Sequence, residues 1–427
     1  MTPTTSALWH PFADMGSVAS TPLVIDRAEG VTVWDEDGRA YLDATAALWF
    51  ANLGHGRPEL AAAAADQIGK LDAYSTFGDY ANRPAMELAE RLTGFFPEAG
   101  AKAFLTSGGG DSIDSAAKIA RASWFHRGQP ERVHLISRSN GYHGTHGFGT
   151  AIAGIPANLG GFGPQAPDAS VVPHDDVDAL EQEILRVGPE RVAAFFCEPV
   201  IGAGGVHLPP EGYIEAAVAV CRKYGVLFIA DCVICAFGRL GTWLGIDRWP
   251  VVPDMVTMAK GINGGVVPLG AVLVRGEVAE PFFTGQPGAP VLRHGATYAG
   301  HPVAARVALA AFDLYEGEGL IARGRELEGA LADAVAPLRG HELVGDVRAG
   351  LGLLSGVDLS DEVLQAVPGA PAIWQMGCRD AGVLVRPLGR GVAVSPPLTI
   401  EERDIARIGD ALHAGLEKVA EAAGALA

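Results

Sequence analysis

Val226-Leu227-Phe228-Ile229-Ala230 is a short apolar run that ends on Asp231, and Met255-Val256-Thr257-Met258-Ala259 follows the same plan and ends on Lys260. Both have the length and β-branched content of strands buried on both faces. A third run, Ala193-Ala194-Phe195-Phe196-Cys197, delivers Glu198 and then Pro199, which cannot continue a central strand. Open parallel sheets place their chemistry just beyond the carboxyl ends of the strands, so the three runs predict one crevice shared by two carboxylates and an amine.

A lysine desolvated among apolar neighbours has a lowered pKa and becomes nucleophilic, which suits Lys260 to Schiff-base chemistry. Gly261 follows it directly, and Gly264-Gly265 lie just beyond, so this loop can approach a bulky cofactor without Cβ clashes. Standing alone, Lys260 would read as a solvated residue opening a glycine loop. Asp231 and Glu198 at neighbouring strand ends argue for the chemical reading.

Further out, Phe104-Leu105-Thr106-Ser107 is a brief strand, Gly108-Gly109-Gly110 follows, and Asp111-Ser112 can cap a helix from about Ile113 to Phe125. Strand, glycine turn and helix N-terminus form an anion cup, because free N–H groups and the helix dipole point at the same ligand. A phosphate suits it. No Gly-Lys-Ser/Thr follows, so it is not a P-loop, and it is not G-x-G-x-x-G. Val133 to Ser137 is a strand leading into Gly141-Tyr142-His143-Gly144, where flanking glycines leave an aromatic ring free to lie flat on a ligand. His143 reads as a hydrogen-bonded loop residue. The helix Gly212 to Tyr224 joins the Glu198 strand to the Asp231 strand as a βαβ crossover.

Ala46 to Gly56 is apolar, aromatic and without helical or strand period, and Trp49 within it reads either as pocket lining or as core. Thr150 to Pro173, rich in Gly, Pro and Ala, reads as a long excursion. Near Glu316-Gly317-Glu318-Gly319 the pattern changes to that of an α+β lobe. The expected division is residues 1–56 as the N-terminal part of a small domain, 57–318 as a large domain, and 319–427 as the rest of the small domain.

Of 427 residues, 48% are apolar and 19% charged, the composition of a globular chain too long for one core. Lys+Arg 32 against Asp+Glu 50 gives a net charge of −18, which disfavours nucleic-acid binding because such binding needs clustered basic charge. No run approaches the roughly 18 apolar residues of a membrane span. Met1 to Phe12 lacks the basic-then-apolar order of a signal peptide, so a cytoplasmic location is expected. The five cysteines are odd in number and mostly sit in apolar runs, as reduced buried thiols would. Cys232-Val233-Ile234-Cys235 spells C-x-x-C, but no second pair and no suitably spaced His makes it a metal or redox site.

Taken in order, these stretches resemble the class III aminotransferases, pyridoxal-phosphate enzymes of fold type I, and within them the ω-amino-acid:pyruvate group. The resemblance runs roughly from Trp34 to Pro397 and is carried by Gly109-Gly110 ahead of Ala117 to Arg121, Gly141 to Gly144, Glu198-Pro199-Val200, Asp231 to Gly241, Ala259-Lys260-Gly261 and Thr297 to Pro302. It implies an α/β fold: a large domain built on a mostly parallel sheet with helices on both faces, and a smaller α+β domain from the N- and C-terminal parts. It also implies pyridoxal 5′-phosphate as cofactor, amine and keto-acid substrates, and a homodimer or tetramer. Lys260 would be the internal-aldimine lysine and proton-transfer base, and Asp231 would bind the pyridine nitrogen. Val233 and Tyr142 would cover the two ring faces, Glu198 would lie near the ring, and Gly109, Gly110 and Thr297 of the partner subunit would hold the phosphate. Trp49, Tyr142 and Arg386 match substrate positions.

Two positions depart from the family's pattern. Asp231 is followed by Cys232 where Glu is usual, and Gly110 stands where Ser is frequent. The missing hydroxyl removes one possible phosphate hydrogen bond, worth about 0.5 to 1.5 kcal/mol. Weaker cofactor retention is therefore expected. Ile234 stands where the 2-oxoglutarate-using branch of acetylornithine, ornithine and γ-aminobutyrate aminotransferases has Gln, which favours pyruvate.

Overall fold

The computed structural model describes residues 7–18 and 22–424. The first six residues of the stretch read against a signal peptide lie outside that range. At its centre is a seven-stranded sheet, in the order Lys102–Thr106, Gly270–Val274, Met255–Met258, Leu227–Asp231, Val192–Cys197, His134–Arg138, Ala169–Val172. Gly270–Val274 runs antiparallel to both its neighbours, and every other pairing in this sheet is parallel.

The apolar runs are unbroken because both faces of the sheet are covered. Alternate residues divide between two cores: Phe195, Cys197, Phe228, Ala230 and Val256 join one, while Ala194, Phe196, Leu227, Ile229 and Met255 join the other. On the second face lies the helix Gly109–His126, with Ile113, Ala116, Ala117 and Ala120 turned to the strands. On the first face lie Tyr213–Tyr224 and Pro302–Gly317, whose Ala-rich sequence allows close packing.

The chain ends build the smaller lobe together. Val383 pairs in parallel with Leu42, so the hairpin Thr32–Asp35 and Ala40–Asp43 shares a sheet with residues far along the chain. A separate four-stranded sheet contains Val344–Arg348, Ser355–Leu359, Gly391–Val394 and Arg386–Pro387. The terminal helix Glu402–Gly424 packs on Ala370–Asp380, where the Trp374 indole N–H donates to the Leu412 carbonyl at 2.9 Å.

Two elements differ from expectation. The helix expected from about Ile113 begins at Gly109, and Asp111, expected to cap it, lies inside its first turn and accepts from Ser107 N–H at 2.8 Å. The Thr150–Pro173 excursion holds the edge strand Ala169–Val172, which its Gly- and Pro-rich surroundings obscure.

Arg239 ties the lobes together. It is fully buried and donates to the carbonyls of Leu353 and Pro396, each at 2.7 Å, and to Asn52 Oδ1 at 2.8 Å. Asn52 passes the link on by donating to the Phe237 carbonyl at 2.9 Å. Arg239→Ala should destabilise the protein by about 3 to 5 kcal/mol, since it leaves a cavity and three buried acceptors without donors. Thermal unfolding checks this, and an unchanged Tm would refute it.

Candidate active site

Three neighbouring strands deliver Glu198, Asp231 and Lys260 to the same sheet edge, as their parallel register requires. A cavity of about 220 Å³ lies there, lined among others by Gly109, Gly110, Tyr142, His143, Glu198, Asp231, Val233, Ile234 and Lys260. Burial brings the Lys260 amine down to about 8 from an ordinary 10.5, opposed in part by the charges of Asp231 and Glu198. Its backbone is left-handed, with φ of 50°, a strained state for a residue with a Cβ. The following turn is held by Tyr315, whose hydroxyl donates to the Gly261 carbonyl at 2.7 Å.

Asp231 is almost fully buried and accepts on both oxygens. Oδ2 takes a bond from His143 Nδ1 at 2.7 Å, while Oδ1 takes bonds from Val233 N–H and the Thr257 hydroxyl, each at 3.1 Å. Glu198 is bound differently: Oε1 accepts from Tyr142 N–H and Oε2 from Gly202 N–H, both at 2.9 Å, which straps two loops across the cavity floor. Burial, with the Asp231 charge adding to it, pushes the Glu198 carboxyl up. Asp231 and Glu198 thus sit in one cavity with different settings.

The helix Gly109–His126 opens without a side-chain cap, so its first N–H groups are free to meet an anion at the cavity wall. Glycine is needed there because a Cβ at 109 would come within 2.8 Å of Val233 Cγ1, and one at 144 within 2.7 Å of Gly110 Cα. A Cβ at 110 would meet only the His146 ring at 3.5 Å, so that position has room for a side chain.

The structure gathers Lys260, Asp231, Glu198, Gly109, Gly110, Tyr142 and Val233 around this cavity. Arg386 stands beside it: its charge acts on both Tyr142 and Lys260, but it lines an adjoining cavity. Thr297 is exposed and lines a separate surface depression with Tyr74, Phe77 and Tyr298. Trp49, read as a substrate position, is packed in the main core, 3% exposed, and is not among the residues lining the central cavity. Cys232, which stands where Glu is usual, is likewise in the core, and burial pushes its thiol well up. His143, expected to be a hydrogen-bonded loop residue, is one, and its partner is Asp231; Thr257 also holds Asp231, and nothing in the sequence marks it out within its strand.

The donor set suits a phosphorylated pyridine aldehyde. It offers a buried low-pKa amine for the carbonyl, a carboxylate for a ring nitrogen, open helix N–H groups for a phosphate, and Tyr142 and Val233 to cover a ring.

A family model described as Aminotransferase class-III matches residues 15–416. Among curated relatives, Gamma-aminobutyrate transaminase 1, mitochondrial, of Oryza sativa subsp. indica is 37% identical over 436 residues, which cover 94% of this chain and 83% of the relative. Among solved structures, a thermostable (S)-enantioselective omega-transaminase from Thermomicrobium roseum aligns with a TM-score of 0.91 and 39% identity, covering 96% of each chain. An amine transaminase from an uncultivated Pseudomonas species, in its PLP-bound form, aligns with a TM-score of 0.92 and 35% identity, covering 97% of this chain and 99% of the other.

The Lys260 environment has a pH signature in the cofactor-free protein. Between about 8 and 10.5 the unfolded chain keeps a proton that the folded chain has lost, so stability rises with pH across that window. Lys260→Met lacks this term. The stability of Lys260→Met relative to wild type should therefore fall by about 3 kcal/mol from neutral pH to the upper end of the window. Paired denaturation curves over pH test it, and a margin that does not change with pH would show the amine to be solvated.

Proposed function

The chain belongs to the class III aminotransferases and uses pyridoxal 5′-phosphate, and we propose that it moves an amino group from an ω-amino acid or primary amine to pyruvate. The bound cofactor supplies a carbonyl that exchanges for the amine and a ring that accepts electrons.

In this reading Lys260 Nζ takes a proton from the amine-bearing carbon of the donor and returns one to the acceptor. A pKa near 8 leaves an appreciable neutral fraction at working pH, and a base fixed beside its substrate loses little entropy on the way to the transition state. Asp231 holds a proton on the ring nitrogen, and the bonds from His143, Thr257 and Val233 keep it aimed there. Glu198 fixes the loop that presents Tyr142. Gly109 and Gly110 receive the phosphate on backbone N–H groups.

The observation that carries substrate choice is Arg386. Its guanidinium is partly buried, its Nε has no hydrogen-bond partner, and among the described residues it forms no ion pair. It is close enough to Lys260 and Tyr142 to act on both. A partly buried guanidinium without an ion pair, beside the reacting centre, suits a carboxylate by a two-pronged contact and can turn aside for an apolar group. Ile234 in the cavity lining offers no hydrogen bond of the kind the 2-oxoglutarate branch uses, which favours pyruvate. The γ-aminobutyrate transaminases among the relatives support an ω-amino acid as donor. A cytoplasmic location is part of the same proposal, supported by five cysteines that are all free and buried.

A homodimer is also part of the proposal. Thr297 is exposed beside Tyr74, Phe77 and Tyr298, themselves 54%, 51% and 69% exposed, a surface suited to a second copy that would bring the hydroxyl of Thr297 of the partner subunit to the phosphate.

Two experiments test these readings. A panel of β-alanine, γ-aminobutyrate, ornithine and 1-phenylethylamine against pyruvate and 2-oxoglutarate should show pyruvate preferred. In half-reactions from the same panel, Arg386→Ala should lose about 2 to 4 kcal/mol with carboxylate substrates while 1-phenylethylamine stays within a few-fold. Equal losses for both would assign Arg386 to structure. In the second, Lys260→Ala and Thr297→Asp, each inactive alone, should regain activity on subunit exchange through hybrid sites that keep both native residues. Confirmed exchange without rescue would exclude a shared site.

A further inference from the structure

Arg386 also lines a second cavity, of about 260 Å³, whose walls do not include Lys260. Its walls divide by chemistry. Leu23, Met376 and Pro387 are apolar, whereas Arg379 and Arg386 bring two guanidinium groups, and Gln375 and Thr45 add polar atoms. Among the described residues neither arginine forms an ion pair with a carboxylate, although Arg379 has Asp380 as its chain neighbour. That aspartate is engaged by Lys418. The Thr45 hydroxyl and the Gln375 amide are turned to protein partners, the Asp43 carboxylate with the Ala47 carbonyl and the Val385 carbonyl, and Arg379 reaches the Tyr41 hydroxyl with part of its guanidinium, so Arg386 and the remaining N–H groups of Arg379 are left for a ligand.

Two cations around a small, half-apolar space are suited to a compact carboxylate with a short hydrocarbon tail. One of the two cations is shared. A carboxylate seated here would draw the Arg386 guanidinium outward, and the same group cannot then fork onto a carboxylate in the central cavity. We propose that this outer cavity is a second carboxylate site, built on Arg379 and Arg386, whose occupant competes with the substrate carboxylate for Arg386. The proposal rests on the reading of Arg386 as the substrate-carboxylate residue, and it adds Arg379 as a residue that tunes response to keto-acid level without touching the reacting atoms.

The probe is propionate, which has the carboxylate but no keto group to react. In single turnovers of the amine-loaded holoenzyme with pyruvate, propionate should inhibit, and Arg379→Gln should require about ten-fold more of it. The KM for pyruvate without propionate should stay within about two-fold, because Arg379 does not line the central cavity. Arg379→Lys should restore much of the sensitivity. Met376→Glu, at a wall residue that is 59% exposed and tolerant of change, should reproduce the loss by placing a like charge against the ligand. Saturation-transfer NMR of propionate on the holoenzyme gives a readout independent of turnover and should weaken in the same two variants. Identical inhibition constants and NMR signals in wild type, Arg379→Gln and Met376→Glu would overturn the second site and leave propionate in the central cavity alone. If instead Arg386→Ala leaves the pyruvate KM unchanged, the reading of Arg386 fails, and with it the competition.

Discussion

Removing one lysine amine from water is the constraint on which the site depends. A primary amine in solvent is protonated at neutral pH and is neither nucleophile nor base. For Lys260 the hold on that proton is weakened, its pKa brought down to about 8, because the sheet, the small lobe and the Gly261 turn close around it, and the desolvation outweighs the attraction of two nearby carboxylates. Its left-handed backbone is a second cost, borne because Tyr315 and the buried Asn52 side chain fix the turn from below. The Arg239 network then matters for chemistry as well as stability, since Asn52 is one of its members. Fold and reactivity meet in that group of residues.

Two carboxylates in one cavity would ordinarily repel and share a proton. Here their partners separate them. Asp231 accepts from an imidazole, a hydroxyl and a backbone N–H, while Glu198 has two backbone N–H groups, and burial pushes its carboxyl up. One is provided with the donors that a charge requires; the other serves mainly as a strap between loops. This division explains why His143 faces Asp231 and not the cavity opening. Its role is to hold the carboxylate, so a histidine in an otherwise catalytic-looking motif acts at one remove.

The parts of this arrangement that were legible in the sequence share one property, continuity along the chain. Asp231 and Lys260 could be read because an apolar run and a charged terminus are adjacent in sequence, and parallel strands convert that adjacency into a common edge. Gly109 and Gly110 were legible for a similar reason, although the helix starts ahead of its expected place, with Asp111 inside its first turn. Contacts between distant segments were not legible. The Thr257 hydroxyl points at Asp231 across two paired strands, and nothing local to it distinguishes it from a strand threonine. Trp49 read either as pocket lining or as core from its irregular, aromatic setting, and three left-handed residues, Ala46, Ala47 and Trp49, fold the segment so that the indole enters the core.

The departures at Cys232 and Gly110 act through different physics. Cys232 is fully buried, away from the cavity lining, with its thiol pushed well up, so at neutral pH it adds no charge to a region that already holds Asp231 and Glu198. A third carboxylate here would have to be desolvated with the Ile246 backbone N–H as its evident donor, and its field would oppose both neighbours. Cysteine at this position therefore lightens the acidic load around an anion-binding cavity. Gly110 acts the other way. Its Cβ position has room, so the loss there is of a hydroxyl donor alone, with no strain relieved in exchange. Grip on a phosphate then falls to backbone N–H groups, whose direction is set by the helix and does not depend on a rotamer. The expectation of weaker retention thus rests on Gly110, and the lowered negative field around Cys232 works against it.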